Sequence, residues 1–429
     1  MNGNIKIQTN TTNVTDNDAL QAYYCSTRSC SEDICAPLEI DDYGVQSTAE
    51  VSPPKWHLAH TAWFFETLVL KPFYEQYKSF HPQYEQLFNS YYDTIGNYHP
   101  RPERGFLSRP TVKKIYNYRH YVDQHMTQLI AQLDHPARQE IVRRTILGLN
   151  HEQQHQELLL TDIKYNFAYN PLRPAYKPSL LLPQNNASKL EWIQFEEGIH
   201  HCGFEGDEFA YDNETPRHRT FLHAFKLASR PVTNREYLEF MQAGGYQSSE
   251  LWLSEAWKTI QTQQWQGPLY WEKLEGEWQY MTLAGMKAVD LDAPVSHVSY
   301  YEAAAYARWA GKRLPTEFEW EVASAQAPIK GNFFDAGYLQ PIAATQETGL
   351  SQMFGDVWEW TQSPYTSYPG YHQARGPLGE YNGKFMSSQM VLRGGSCATS
   401  LNHIRPTYRN FFYPHERWQF SGFRLAEDV

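Results

Sequence analysis

Residues 139–165, QEIVRRTILGLNHEQQHQELLLTDIKY, read as one long helix, and that reading decides the architecture of the first part of the chain. His151 and His155 stand four residues apart in it, which at 3.6 residues per turn sets the two imidazoles about 40° apart on one face. Leu158, Leu159 and Ile163 follow directly, so this stretch is not all solvated. Upstream, Ser108-Arg109-Pro110 opens a helix whose Ile115, Val122, Met126, Leu129 and Leu133 form an amphipathic stripe. Ser52-Pro53-Pro54 supplies an N-cap and a first-turn proline for WHLAHTAWFFETLVL (56–70), which Pro72 ends. A shorter helix near Asp18 to Cys30 completes four, the count of a bundle with one long connection from about Glu75 to Leu107.

The chain changes character at AYNPLRPAYKPSLLLPQNN (168–186), where Pro171, Pro174, Pro178 and Pro183 interrupt any periodicity. The expected organisation is therefore a bundle over 15–168, a linker over 169–189 and a second, irregular α+β domain over 190–429. In that last part, short alternating runs and aromatics are punctuated by capping boxes at Thr233…Glu236 and Ser299…Glu302. A total of 429 residues suits two or three domains.

Charge excludes some partners. Thirty-seven basic against 48 acidic residues leave a net charge of −11, no footprint for gripping nucleic acid or an anionic membrane. No apolar run approaches the roughly 18 residues of a spanning helix, and the N-terminal residues lack a secretory pattern, so the expected location is cytoplasmic. Five cysteines without a CxxC agree with a reducing compartment, in which the sequons at Asn10 and Asn13 are silent. The 13 Trp, 30 Tyr and 22 Phe make 15% of the chain, too many to be core alone.

His60, on the capped helix at 56–70, is a third candidate ligand beside His151 and His155, and His57, three residues away, competes with it. Three histidines without a carboxylate leave a six-coordinate ion three open positions, enough for Fe(II) to take O₂ and two substrates. Neutral ligands also leave the full +2 charge, which favours a thiolate. Gln154 and Glu157 flank the pair, each a partner for an imidazole or simply a helical polar residue.

SPPKWHLAHTAWFFET, NHEQQHQE, GDEFAYDNETPRH, RLPTEFEWEVA, FGDVWEWT, LRGGS and RNFFYPHERWQFSGFRLA together resemble the ergothioneine-type sulfoxide synthases. The resemblance covers about residues 15–429. It implies a DinB-like four-helix bundle followed by a C-type-lectin-like domain of the formylglycine-generating, sulfatase-modifying kind. It also implies an iron(II)- and O₂-dependent enzyme that joins the sulfur of cysteine or γ-glutamylcysteine to the imidazole C2 of hercynine (trimethylhistidine) and oxidises the sulfur to a sulfoxide. The family's iron ligands match His60, His151 and His155. Gln154, Asn410, Phe411 and Phe412 match residues around hercynine, the aromatics suiting a quaternary ammonium. Arg101 and Arg104 match a pair that holds the thiol substrate's carboxylate, with Arg109 as a second candidate. Tyr91 and Tyr92 match tyrosines that donate a proton near the iron in one branch of the family. The two are expected to point in different directions, one as acid and the other in a packing role.

The cysteine pair that formylglycine-generating enzymes carry after their GGS segment is missing, since Thr399 and Ile404 stand at those offsets from Ser396. Copper–cysteine chemistry is thereby not expected, and the second domain is expected to act as wall and lid. The chain's last residues follow GFRLA closely, so the further methyltransferase domain of ovothiol-type synthases is not expected, nor is free histidine as acceptor. Another alternative is a metal-dependent thiol transferase of the DinB-like class, which would not consume O₂.

Overall fold

The computed structural model describes residues 17–132, 134–180, 183, 186–344 and 349–429. Asn10, Asn13 and Leu133 lie outside the described residues. Four long helices dominate the first part: α1 (Asn17–Cys35), α2 (Pro54–Phe65), α3 (Val112–Ile130) and α4 (Arg138–Tyr169). The expected helix starts differ in their chemistry. Ser52 does not cap α2, because its Oγ accepts from Arg104 instead. In α3 the cap is Thr111, whose side chain accepts from the Lys114 amide, and not Ser108. Pro72 does not end α2 at Leu70 either: a π turn over Glu66–Leu70 carries the chain into a last helical turn, Lys71–Phe73.

Two compact units follow from the chain's contacts. One is the chain up to Leu159 with Gly206–Phe209, the other is Leu160–Glu205 with Ala210–Val429. The division falls inside α4 rather than in the proline-rich stretch. The reason is local bonding: Lys164 bonds His297, and the Lys177 amide bonds Leu283 O, so the end of α4 and the segment after it are built into the second unit.

That second unit holds four small sheets joined by long irregular segments. Strands β1 (Trp192–Phe195), β4 (Phe225–Ala228) and β12 (Ala426–Asp428) form one sheet in the order β1-β4-β12. A ribbon pairs β2 (Gly198–Cys202) with β3 (His218–Leu222), and a meander joins β5 (Trp271–Leu274), β6 (Glu277–Thr282) and β7 (Gly285–Ala288). The fourth sheet orders β10 (Asn410–Phe412), β9 (Met390–Arg393), β8 (Trp358–Pro364) and β11 (Ser421–Gly422), with only β11 parallel to its neighbour. Four short helices complete the unit: α5 (Asn234–Gln242), α6 (Ser254–Gln263), α7 (Tyr300–Trp309) and α8 (Glu317–Ser324). Helices α5 and α7 start with the two capping boxes read from the sequence, and α8 starts with a third, Thr316…Glu319. Where regular structure is scarce, buried ion pairs help define the interior. Arg424 grips both Glu359 oxygens at 2.6 Å, and Glu317 accepts from Arg393 and Arg409. Among the described residues no helix is long and apolar enough to cross a membrane.

Candidate metal centre

Helix α2 is buried on every side except at Lys55, which takes His57 and His60 into the interior of the first unit. It meets α4 closely because residue 148 is glycine. A Cβ there would stand 2.6 Å from Phe65 Cε1 and 2.9 Å from Phe64 Cε1, closer than side chains pack, and His151 follows three residues later. The sequence thus buys proximity of the two helices with one missing methyl group.

Three imidazole nitrogens converge as a result. His60 Nε2 is 3.3 Å from His151 Nε2, and His151 Nε2 is 3.1 Å from His155 Nε2. His60 Nδ1 lies 2.6 Å from Phe88 O. A carbonyl only accepts, so His60 carries its proton on Nδ1 and leaves Nε2 as a bare lone pair aimed at His151. On the far side of the cluster, His155 Nδ1 meets His57 Nδ1 at 2.8 Å. His57 therefore engages the nitrogen of His155 that faces away from the convergence, the position of a supporting partner. Of the two histidines the sequence left open, it is His60 whose Nε2 joins His151 and His155 in the cluster.

All three converging imidazoles are held neutral. Burial pushes His60 and His155 well below the usual histidine range, and the neighbouring His151 adds to it. Burial lowers His151 to about 3, against the opposing pull of Glu152. A neutral imidazole keeps one lone pair for a cation, and His60 already turns its own toward the cluster. Nitrogens each about 2.1 Å from one ion would stand roughly 3.0–3.4 Å apart, which is the spacing found between the bonded pairs. The triad accordingly fits a divalent transition metal, and imidazole suits zinc, copper, iron or nickel alike.

A buried ionic frame stands behind the triad. Glu152, next to His151 and fully buried, accepts from Arg28 at 2.7 Å, Arg119 at 3.0 Å and Ser31 at 2.7 Å. Burial alone would raise its pKa, but Arg28 and Arg119 outweigh that and hold the carboxyl below its ordinary value. Arg119 also donates to Leu58 O and Thr61 on α2, so the frame joins all four helices. No part of it was singled out in the sequence. The signal was there in Arg119, a charge placed between Ile115 and Val122 on the apolar stripe of α3.

The remaining candidates divide. Arg104 is buried, and its guanidinium lies 3.4 Å over the Trp56 ring and donates to Ser52 and Ser90. Arg101 is exposed and donates to Glu50 O, so the expected pair does not share an environment. Arg109 is exposed as well. Gln154 and Glu157 are half-buried. Tyr92 is fully buried and tilts against Trp63, at 5.4 Å between centroids. Contrary to the expectation of divergence, Tyr91 stacks on Tyr92 at 4.6 Å, with the hydroxyls 3.5 Å apart. The backbone turns here rather than running extended: Asn89 brackets Tyr92 through its amide and carbonyl, and the Asp93 amide bonds Tyr91 O. In a turn, neighbouring side chains are free to share a side.

In the second unit, Asn410, Phe411 and Phe412 form β10. Strand alternation sets Asn410 and Phe412 on one face and Phe411 on the other. Phe411 stacks on Tyr365 at 4.0 Å, and Phe412 meets Trp418 edge-on. Period two thus sets the two rings on opposite faces of the strand. Reading by motif also missed Lys164 on α4. It is fully buried, with Nζ 2.7 Å from His297 Nε2, and burial lowers it to about 7.

Comparison with known proteins identifies the second part of the chain and its relatives. Residues 180–343 and 334–429 match the sulfatase-modifying factor enzyme 1-like domain. A hercynine oxygenase of Mycolicibacterium smegmatis is 33% identical over 316 residues, covering 67% of this chain and 72% of that relative. The hercynine oxygenase of Mycobacterium tuberculosis is 37% identical over 245 residues, spanning 51% of this chain and 56% of the relative. The formylglycine-generating enzyme of Mus musculus is 27% identical over 302 residues. With 33% identity over an alignment that spans 72% of the first relative, the chain belongs to the hercynine oxygenase family and carries a sulfatase-modifying factor enzyme 1-like domain.

Proposed function

We propose that the protein is an iron(II)- and O₂-dependent sulfoxide synthase of ergothioneine biosynthesis, which joins the sulfur of cysteine or γ-glutamylcysteine to C2 of hercynine. The observation that carries this reading is the buried, neutral triad His60, His151 and His155 in a chain of the hercynine oxygenase family. Named hercynine oxygenase relatives also favour hercynine over the histidine acceptor of ovothiol-type enzymes, and oxygenation over simple thiol transfer.

The three histidines would hold the iron, which when bound supplies a Lewis-acidic, redox-active centre for a thiolate and O₂. The chain's own residues have separate tasks. Phe88 O fixes the His60 ring and tautomer, while His57 holds the ring of His155 through its Nδ1. Arg104 brings a buried positive charge beside His60 through Trp56, which favours an anionic substrate. The paired hydroxyls of Tyr91 and Tyr92 offer a proton donor with a second phenol to support it. Asn410, Phe411 and Phe412 are the family positions proposed to meet hercynine, an aromatic face suiting its trimethylammonium group. Gln154 is proposed to contact the hercynine imidazole or carboxylate. Arg101, exposed, has the weaker claim to the thiol's carboxylate.

Aerobic incubation of the iron-loaded protein with hercynine and each thiol in competition tests this. Mass analysis should find a sulfoxide conjugate formed with matching O₂ consumption. No conjugate with either thiol would refute the assignment.

A further inference from the structure

Two buried indoles, Trp56 and Trp418, leave Nε1–H without a hydrogen-bond partner among the described residues, and of the two it is Trp56 that stacks on His60. Trp63, Trp252, Trp320 and Trp360 are buried, and each Nε1–H donates to a carbonyl or carboxylate at 2.8–2.9 Å. Trp56 is 2% exposed, yet its Nε1–H has no hydrogen-bond partner among the described residues. A buried donor left unmade is costly, and in native structures such a group usually marks an absent water, ion or ligand.

The surroundings narrow the choice. Both faces of the indole are covered, one by the Arg104 guanidinium at 3.4 Å and the other by the His60 ring, stacked at 4.6 Å and 11°. Only the ring edge is left for a hydrogen bond. Two further imidazoles approach that ring, His57 at 5.8 Å and His155 at 6.2 Å between centroids. An indole N–H only donates, and the charge against this ring is the Arg104 guanidinium. The missing partner is then an acceptor, and the charge of Arg104 makes it an anion.

We propose that Trp56 is a substrate-binding residue, whose Nε1–H donates to a carboxylate oxygen of an amino-acid substrate placed against the histidine cluster. The proposal rests on the functional reading above and adds to it a residue and a contact. Trp56 would then serve three groups at once: it sets the plane of His60, supports the face of Arg104 and engages the substrate in its own plane.

The test measures binding rather than turnover. Co(II)-loaded protein is titrated anaerobically by calorimetry with cysteine and with cysteamine, which lacks the carboxylate, then with hercynine and with its decarboxylated analogue. Trp56→Phe keeps a stacking ring and removes the N–H. Trp56→benzothienylalanine keeps the full shape, and it carries the test if the phenylalanine variant does not fold. Expected is a Co(II) affinity within a few-fold of the parent and a loss of roughly 10- to 100-fold for one carboxylate ligand, with its decarboxylated partner unaffected. Which pair responds identifies the substrate that Trp56 touches. Equal losses for acid and decarboxylated analogue, or no loss for any ligand, would overturn the proposal. If the parent protein binds none of the four ligands, the functional reading itself falls, an outcome distinct from a parent that binds and variants that bind equally well.

Discussion

Replacing Lys164 by methionine should stabilise the protein at neutral pH and abolish a rise in stability toward alkaline pH. The lysine is fully buried and its ammonium has an imidazole, not a carboxylate, as hydrogen-bond partner. The rings of Tyr270 and Phe420 lie 5.0 Å and 4.7 Å from Nζ, and Cys397 is the ionisable group that favours its charge, weakly against burial. His297, also buried, is itself held well below the usual histidine range, by burial first and Lys164 second. Burial takes Lys164 from its ordinary value to about 7. An unfolded chain keeps this proton up to about pH 10.4, so between the two values the unfolded state binds more protons and stability climbs with pH. Below pH 7 both states hold the proton and the full cost is present. At about 1.4 kcal/mol per unit, the charge costs roughly 4 kcal/mol at pH 7 and under about 1 kcal/mol at pH 10. Methionine removes that cost but strands His297 Nε2, a loss of about 1–3 kcal/mol. Lys164→Met should thus gain about 1–3 kcal/mol at pH 7 and gain nothing or lose at pH 10. Guanidinium midpoints of both proteins from pH 7 to 10 give the difference, in which other titrations cancel. Curves that stay parallel within about 1 kcal/mol would refute the reasoning.

Gly148→Ala should cost about 1–3 kcal/mol despite alanine's better helix propensity, because the new methyl meets Phe65 and Phe64; weaker metal binding, measured by chelator competition, should accompany it. Glu152→Gln takes the shared carboxylate from Arg28 and Arg119, which keep Asp123 and Glu32 respectively, and should cost roughly 1–3 kcal/mol in denaturation. In the parent protein Glu152, held below its ordinary value, contributes stability above about pH 4.3 that is lost as pH falls through its folded value, so the variant's acid-unfolding curve should be flatter there. Tyr91→Phe and Tyr92→Phe should differ in product ratio: whichever hydroxyl supplies the proton, its loss shifts product from sulfoxide conjugate toward cysteine sulfinate, read by mass spectrometry.

Spacing and local chemistry were legible wherever the deciding interaction is short in sequence. Two histidines one helical turn apart must share a face, and a Ser or Thr three residues before Glu closes a capping box from its own backbone. Period two in NFF was equally local, and it separates Phe411 from Phe412. What failed did so because a distant group intervened. Ser52 has the chemistry of a cap, yet Arg104, 52 residues on, takes its hydroxyl. Arg104 looks like a solvated loop residue, yet Trp56 covers its face.

The amino-acid sequence by itself determined the helical first part, the irregular second part and two of the three converging histidines, since each follows from repeat length and side-chain type. Only the tertiary structure put His60 rather than His57 into the convergence, because the two differ not in chemistry but in what meets their Nδ1 atoms: His155 for one, Phe88 O for the other. It alone also revealed the Glu152 frame, the Lys164–His297 pair and the unpaired Trp56 donor. The energy of each depends on burial and on partners far along the chain, and neither is a property of any short stretch.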